Sequence, residues 1–225
     1  MEPRFLAFVG FAAFIAAVAY LSYREDRKRR RLLRAWARSH GFAMTATRQT
    51  GWEREYPAYK LFGYGHSRHS ALHLDGEVDG HRVRCLDYRY TTGSGKNRKT
   101  HRYAVVILDA GTPVIPLHIR REHVFDRVGE FFGGGDINFE SDEFSRRFHV
   151  SSSDRKWAYD VIQTAMMDFL LAADVQHVEF GVAEVAVYRV GPLTGQRCQA
   201  DVKLVKQIFD LVPAQVLAQL RGEPR

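Results

Sequence analysis

A β-hairpin is predicted by the stretch that runs ALHLDGEVDGHRVRCLDYRY from Ala71 to Tyr90. Its apolar and polar residues alternate on both sides of Asp79-Gly80, a dipeptide typical of two-residue hairpin turns. The strand that follows, Arg102–Leu108, reads RYAVVIL and is apolar on both faces, as a central strand is. We therefore expect residues 70–119 to form an antiparallel β meander.

The segments around this meander extend the prediction. A fourth strand is expected at Val114–Ile119, and its prolines, Pro113 and Pro116, favour an edge position. Other strands are expected at Phe42–Thr47, Tyr56–Tyr64, Ile137–Glu140, Phe148–Ser151, Val178–Val182 and Val185–Val190. Helices are expected at Arg121–Phe132 (stopped by Gly133–Gly135), from a Ser153 or Asp154 cap to Ala173, and at Ala200–Leu211 with a restart after Pro213. Strands followed by mixed helices and strands indicate an α+β fold.

The N-terminus differs from the rest of the chain. Residues 5–23 read FLAFVGFAAFIAAVAYLSY, 19 residues without charge or proline. A helix of that length spans about 28 Å, close to the ~30 Å hydrocarbon core of a bilayer. The sequence therefore predicts a transmembrane helix over residues 5–23.

Charge gives this helix an orientation. Residues 24–38 contain eight basic and two acidic residues, a net +6 of the chain's total of +7. The positive-inside rule places this block on the cytoplasmic side of the membrane. The expected organisation is a short external N-terminus (1–4), the transmembrane helix (5–23), a basic juxtamembrane helix (24–41), a cytosolic α+β domain (42–220) and a tail (221–225). The alternative is a signal peptide cleaved after Ala17-Val18-Ala19, with export of the body.

The concentration of charge also limits the partners. Residues outside the basic block are close to neutral, whereas a nucleic-acid-binding domain carries a basic stripe on its fold, so nucleic acid is disfavoured as a partner. Anionic lipid headgroups and a protein partner are the partners we expect, and the oligomeric state stays open. The residues predicted to contact the membrane surface or a partner are Arg27, Lys28, Arg29, Arg30, Arg31, Arg34, Lys96, Arg98 and Lys99.

Two stretches resemble a known family. Residues 137–150 read INFESDEFSRRFHV and are followed by an alanine-containing apolar helix, while residues 85–90 read CLDYRY ahead of a basic loop. Both resemble segments of an uncharacterised bacterial family of membrane-anchored proteins, catalogued only as a domain of unknown function. The resemblance covers roughly residues 70–190. It implies a bacterial source and a membrane tether, so the membrane expected for the chain is the bacterial inner membrane. It implies no activity.

The remaining candidates are weak as chemical motifs. His66, His69 and His73 form the densest histidine cluster, which we interpret as surface histidines on a strand, with His69 and His73 on one face. Asp87 is expected to pair with Arg84, Arg89 or Arg102, and Cys85 and Cys198 to be small core residues. No metal or cofactor site is predicted. The leading hypothesis is a non-enzymatic, membrane-tethered binding module; the alternative is a membrane-proximal enzyme that uses Asp87 with His101 or His118.

Overall fold

The computed structural model describes residues 3–122 and 137–223. The helices are α1 (Pro3–Ser39), α2 (Trp52–Glu55), α3 (Lys60–Gly63), α4 (Asp142–Arg147), α5 (Arg155–Val161), α6 (Thr164–Ala172), α7 (Gly195–Asp210) and α8 (Ala214–Leu220). The strands are β1 (Ala43–Thr45), β2 (His66–Val78), β3 (His81–Thr92), β4 (Lys99–Asp109), β5 (Leu117–Arg121), β6 (Phe148–Ser152), β7 (His177–Phe180) and β8 (Glu184–Val190). The described strands form one antiparallel sheet in the order β1-β2-β3-β4-β8-β7-β5-β6, and the predicted α+β class is confirmed.

The β2–β3 hairpin is built as its sequence predicts. Asp79 and Gly80 both have positive φ angles, 50° and 81°, which two-residue turns of this kind require. The pairing runs from Val78–His81 to His66–Thr91, and its register shifts between Ser70 and His73 and again between His66 and His69. Strand β4 lies between β3 and β8, so the predicted central strand is confirmed.

Two apolar layers cover the sheet. One face of β4 presents Ala104, Val106 and Leu108 to the core that includes the buried side of α7. The other face presents Tyr103, Val105 and Ile107 to an aromatic layer formed by Trp52, Tyr56, Tyr59, Leu61 and Phe62. Apart from Trp52 in α2, that layer lies in the segment predicted as the strand Tyr56–Tyr64, and the strand prediction is wrong. The segment instead contains the short helix α3 and the turn before it, and its aromatic rings cover the sheet.

Three other predictions also need correction. The strand after Pro116 is interior, because β5 pairs with both β6 and β7, and both prolines precede its first ladder residue. The helix predicted up to Ala173 is two helices, α5 and α6, separated at Gln163, whose backbone is extended. Residues 137–140 are not a strand, although the Ile137 amide donates to the Val150 carbonyl (2.9 Å).

The helix predicted at Arg121–Phe132 and its glycine stop fall largely outside the described residues. Arg121 itself closes β5.

Candidate functional site

Helix α1 has an exposed half and a docked half. Every residue from 10 to 25 is exposed, and Phe11, Phe14 and Ile15 have exposed fractions of 63%, 65% and 52%. Further along, Leu33 and Ala37 are fully buried in the main core, and Trp36 packs against it. One helix therefore extends from the body and carries an apolar segment that no described residue covers.

A buried ion cluster fixes the docked half. Asp87 on β3 is completely buried and accepts a hydrogen bond from Arg102 Nε on β4 (2.6 Å). Arg29 of α1 comes within 3.0 Å of the same carboxylate and donates to the Leu193 carbonyl (2.6 Å). Asp87 therefore links the helix to two central strands.

Asp26 completes the cluster from the helix side. It accepts hydrogen bonds from Arg29 (2.7 Å) and from Arg30 (2.7 Å). Burial alone would raise the pKa of Asp26, but these two guanidinium groups outweigh it and lower the pKa to about 2. Asp26 therefore stays ionised, and it offsets part of the positive charge of Arg29 and Arg30.

The predicted contact residues divide into two groups. Arg29 points into the body with only 12% of its side chain exposed, and Arg30 forms an ion pair with Asp26. The others lie exposed on α1, on the turn between β3 and β4, or at the first residue of β4: Arg27, Lys28, Arg31, Arg34, Lys96, Arg98 and Lys99.

The histidines of the cluster do lie on a strand, but His69 and His73 do not share a face and His73 is not on the surface. A β-bulge between Ser70 and His73 shifts the register, so that His69 lies opposite Arg89 and His73 lies opposite Leu86. Because directly opposed residues share a face, the bulge puts His69 and His73 on different faces. His73 is buried against Trp52, and burial lowers its pKa. In residues 3–122 and 137–223 no cluster of three or more His, Cys, Asp or Glu side chains could hold a metal ion.

The structure separates the residues that the alternative hypothesis, a membrane-proximal enzyme, would use for catalysis. Asp87 lies on the sheet face of Cys85, whereas His101 stacks on Tyr90 on the opposite face. His118 lies on β5, four strands from β3. The structure does not bring Asp87 together with either histidine.

The structure contains a buried polar group that no sequence pattern indicated. Glu179 on β7 is 1% exposed and accepts a hydrogen bond from the Tyr188 hydroxyl (2.6 Å). His118 lies 3.5 Å from the same Glu179 oxygen, and His177 stacks on Tyr188. These residues come from three strands, β5, β7 and β8, and their meeting depends on the strand order.

Arg84 lies at the centre of a second polar region, beside a cavity of about 210 Å³. It donates to Asp75 (2.6 Å) and to the Tyr56 hydroxyl (3.1 Å), pairs with Glu55, and lies over the Trp52 ring. Burial raises the pKa of Tyr56 to about 12. The guanidinium is thus held by acids of its own chain, which is typical of a structural ion pair.

Both cysteines are free thiols in the core, as predicted. A hydrogen bond between Cys85 and Cys198, together with burial, raises the pKa of Cys85 well above its usual value. Neither thiol is accessible to reagents in the folded protein.

Among the described residues, no helix combines the length and hydropathy that crossing a membrane requires. The transmembrane helix predicted over residues 5–23 therefore has no support from the structure.

The fold and the docked helix define an α+β domain with one antiparallel sheet and a long N-terminal helix whose second half packs on the body. No protein-family model and no curated protein matches the chain, so the family resemblance stays a prediction.

A solved structure does match: that of the mycobacterial trehalose monomycolate transport factor A, TtfA. The match has a TM-score of 0.58 and 15% sequence identity, and it covers 83% of this chain and 94% of that one. At this identity the similarity establishes the fold.

Proposed function

We propose that the chain is a membrane-attached binding module. The apolar half of α1 enters the lipid bilayer, and the docked half holds the α+β body at the cytoplasmic surface. There the body binds a protein partner or the inner leaflet. The observation that carries the proposal is the uncovered apolar segment of residues 10–23 on a helix whose other half is fixed to the body.

The chemistry along α1 favours lipid as the partner of the apolar segment. Large exposed apolar surfaces of folded proteins mark protein or membrane contacts. Here the apolar segment ends in Tyr20 and Tyr23, residues suited to the headgroup region, and Arg24 lies over the Tyr20 ring (5.9 Å). Exposed cations follow at once, at Arg27, Lys28 and Arg31. This order, apolar then aromatic then basic, matches the order of layers in a bilayer.

The fold similarity is consistent with this proposal. The similar structure is named as a transport factor for trehalose monomycolate.

The proposal predicts how the chain behaves in cell membranes. The full chain should remain in the membrane pellet after extraction with alkaline carbonate, because burial of the apolar segment does not depend on charge. A chain that begins at Arg24 keeps the whole ion cluster of Asp26, Arg29 and Asp87, and it should move to the supernatant. Release of the full chain by carbonate would count against attachment through α1.

A further inference from the structure

We infer that the body makes a second contact with the membrane, through a cationic surface that binds anionic lipid headgroups. This inference rests on the proposed membrane attachment. The surface combines two segments that are far apart in sequence: the exposed cations after the apolar half of α1 and the turn between β3 and β4. Its members are Arg24, Arg27, Lys28, Arg31, Lys96, Arg98 and Lys99, all of them exposed.

The contacts of α1 bring these segments to the same end of the sheet. Phe42, just after α1 ends, lies against Gly76, which pairs with Val83 on β3. Arg29, earlier in α1, contacts Asp87. Going from Phe42 back to Arg29, the neighbouring residue on β3 changes from Val83 to Asp87. The apolar half of α1 therefore points toward the same end of the sheet as the β3–β4 turn.

The lengths of β3 and α1 beyond the Asp87–Arg29 contact are similar, so both segments of the surface lie at a similar distance from that contact. From Asp87 to the end of β3 at Thr92 the strand rises about 17 Å, at about 3.4 Å per residue. From Arg29 back to Tyr20 the helix rises about 14 Å, at ~1.5 Å per residue. The β3–β4 turn thus reaches the level where the apolar segment meets the basic residues of α1.

Within the two segments of this surface, both of which the structure describes, few acids offset the positive charge. Residues 92–99 contain no acid. On α1 the neighbouring acids are Glu25, which is exposed, and Asp26, which is already bonded to Arg29 and Arg30. Electrostatic attraction acts over about one Debye length, ~8–10 Å in physiological salt, so cations held at headgroup level contribute most.

The side chains of the turn suit headgroups better than an apolar partner. The turn reads Gly93-Ser94-Gly95-Lys96-Asn97-Arg98, without an apolar side chain. Its contact must therefore be electrostatic, and each Lys or Arg near an anionic surface strengthens such a contact by about fivefold. An acidic protein partner is the competing occupant, and the experiment below separates the two.

The test places a fluorescent label on the turn of the full chain. Ser94→Cys supplies an exposed attachment point, since both native cysteines are buried. The labelled chain is reconstituted in nanodiscs of phosphatidylcholine alone, or of a two-to-one mixture with phosphatidylglycerol. Each contains a lipid that carries a nitroxide quencher on its headgroup. Quenching should rise about twofold or more in the anionic discs and fall back in high salt.

Two matched triple variants complete the experiment. The variant Lys96→Gln, Arg98→Gln, Lys99→Gln should lose the increase in quenching. The control Arg155→Gln, Lys156→Gln, Lys203→Gln removes the same charge from exposed positions on α5 and α7 and should keep it. Equal quenching in both lipids, or equal loss in both variants, would overturn the inference, and an acidic partner would then be the better occupant. Failure of the chain to incorporate into either disc would instead overturn the proposed attachment.

Discussion

Replacing Asp87 with alanine should lower the free energy of unfolding by about 3–5 kcal/mol, because the change leaves two partly buried cations without their counter-charge. Arg102 and Arg29 both face this carboxylate, and Asp87 itself is completely buried. Chemical denaturation of the full chain in mild detergent, followed by near-ultraviolet circular dichroism, measures the change.

An exposed ion pair supplies the control. Glu143 and Arg147 of α4 lie 3.4 Å apart with side chains 59% and 45% exposed. Glu143→Ala removes one carboxylate from a solvent-screened pair, and it should cost no more than about 1 kcal/mol. If Asp87→Ala costs as little as Glu143→Ala, the ion cluster does not hold α1 to the body.

Two arginines in the middle of the apolar segment should largely abolish membrane attachment. Phe14 and Ile15 lie near the centre of residues 5–23 and are exposed. An arginine at the centre of a membrane helix costs about 2.5–3.5 kcal/mol, whereas each large apolar residue gains only about 0.3–0.6 kcal/mol. The variant Phe14→Arg, Ile15→Arg should therefore shift from the membrane to the soluble fraction in a flotation gradient.

The same helix offers a matched control. Leu32 and Ala35 are exposed on the docked half of α1, beyond the apolar segment. The variant Leu32→Arg, Ala35→Arg adds two identical charges to the same helix and should float with the membranes like the unchanged chain. Soluble behaviour of both variants would mean that added charge alone, and not the loss of lipid contact, releases the protein.

Local sequence patterns predicted the parts of the fold that local physics determines. Asp79-Gly80 set the hairpin because its backbone conformation needs residues that tolerate positive φ. The doubly apolar strand Arg102–Leu108 could only be central. The strand prediction for the aromatic run Tyr56–Tyr64 was wrong, because these rings pack on a sheet face formed by segments distant in sequence, including β3 and β4.

The errors in the candidate site have the same origin. Arg102 was among the expected partners of Asp87, and that pairing is confirmed. Arg29 could not be separated from its basic neighbours, since only the docking of α1 shows which side of the helix meets Asp87. The bulge that buries His73 leaves no glycine or proline as a marker, so simple alternation placed it on the wrong face.

The most direct test of the account determines on which side of the membrane the body lies. A cysteine introduced at Ser94 can be labelled selectively with a membrane-impermeant maleimide, because Cys85 and Cys198 are buried. The account predicts that Ser94→Cys is not labelled in intact spheroplasts and is labelled once the membrane is permeabilised. Labelling of Ser94→Cys in intact spheroplasts would contradict it.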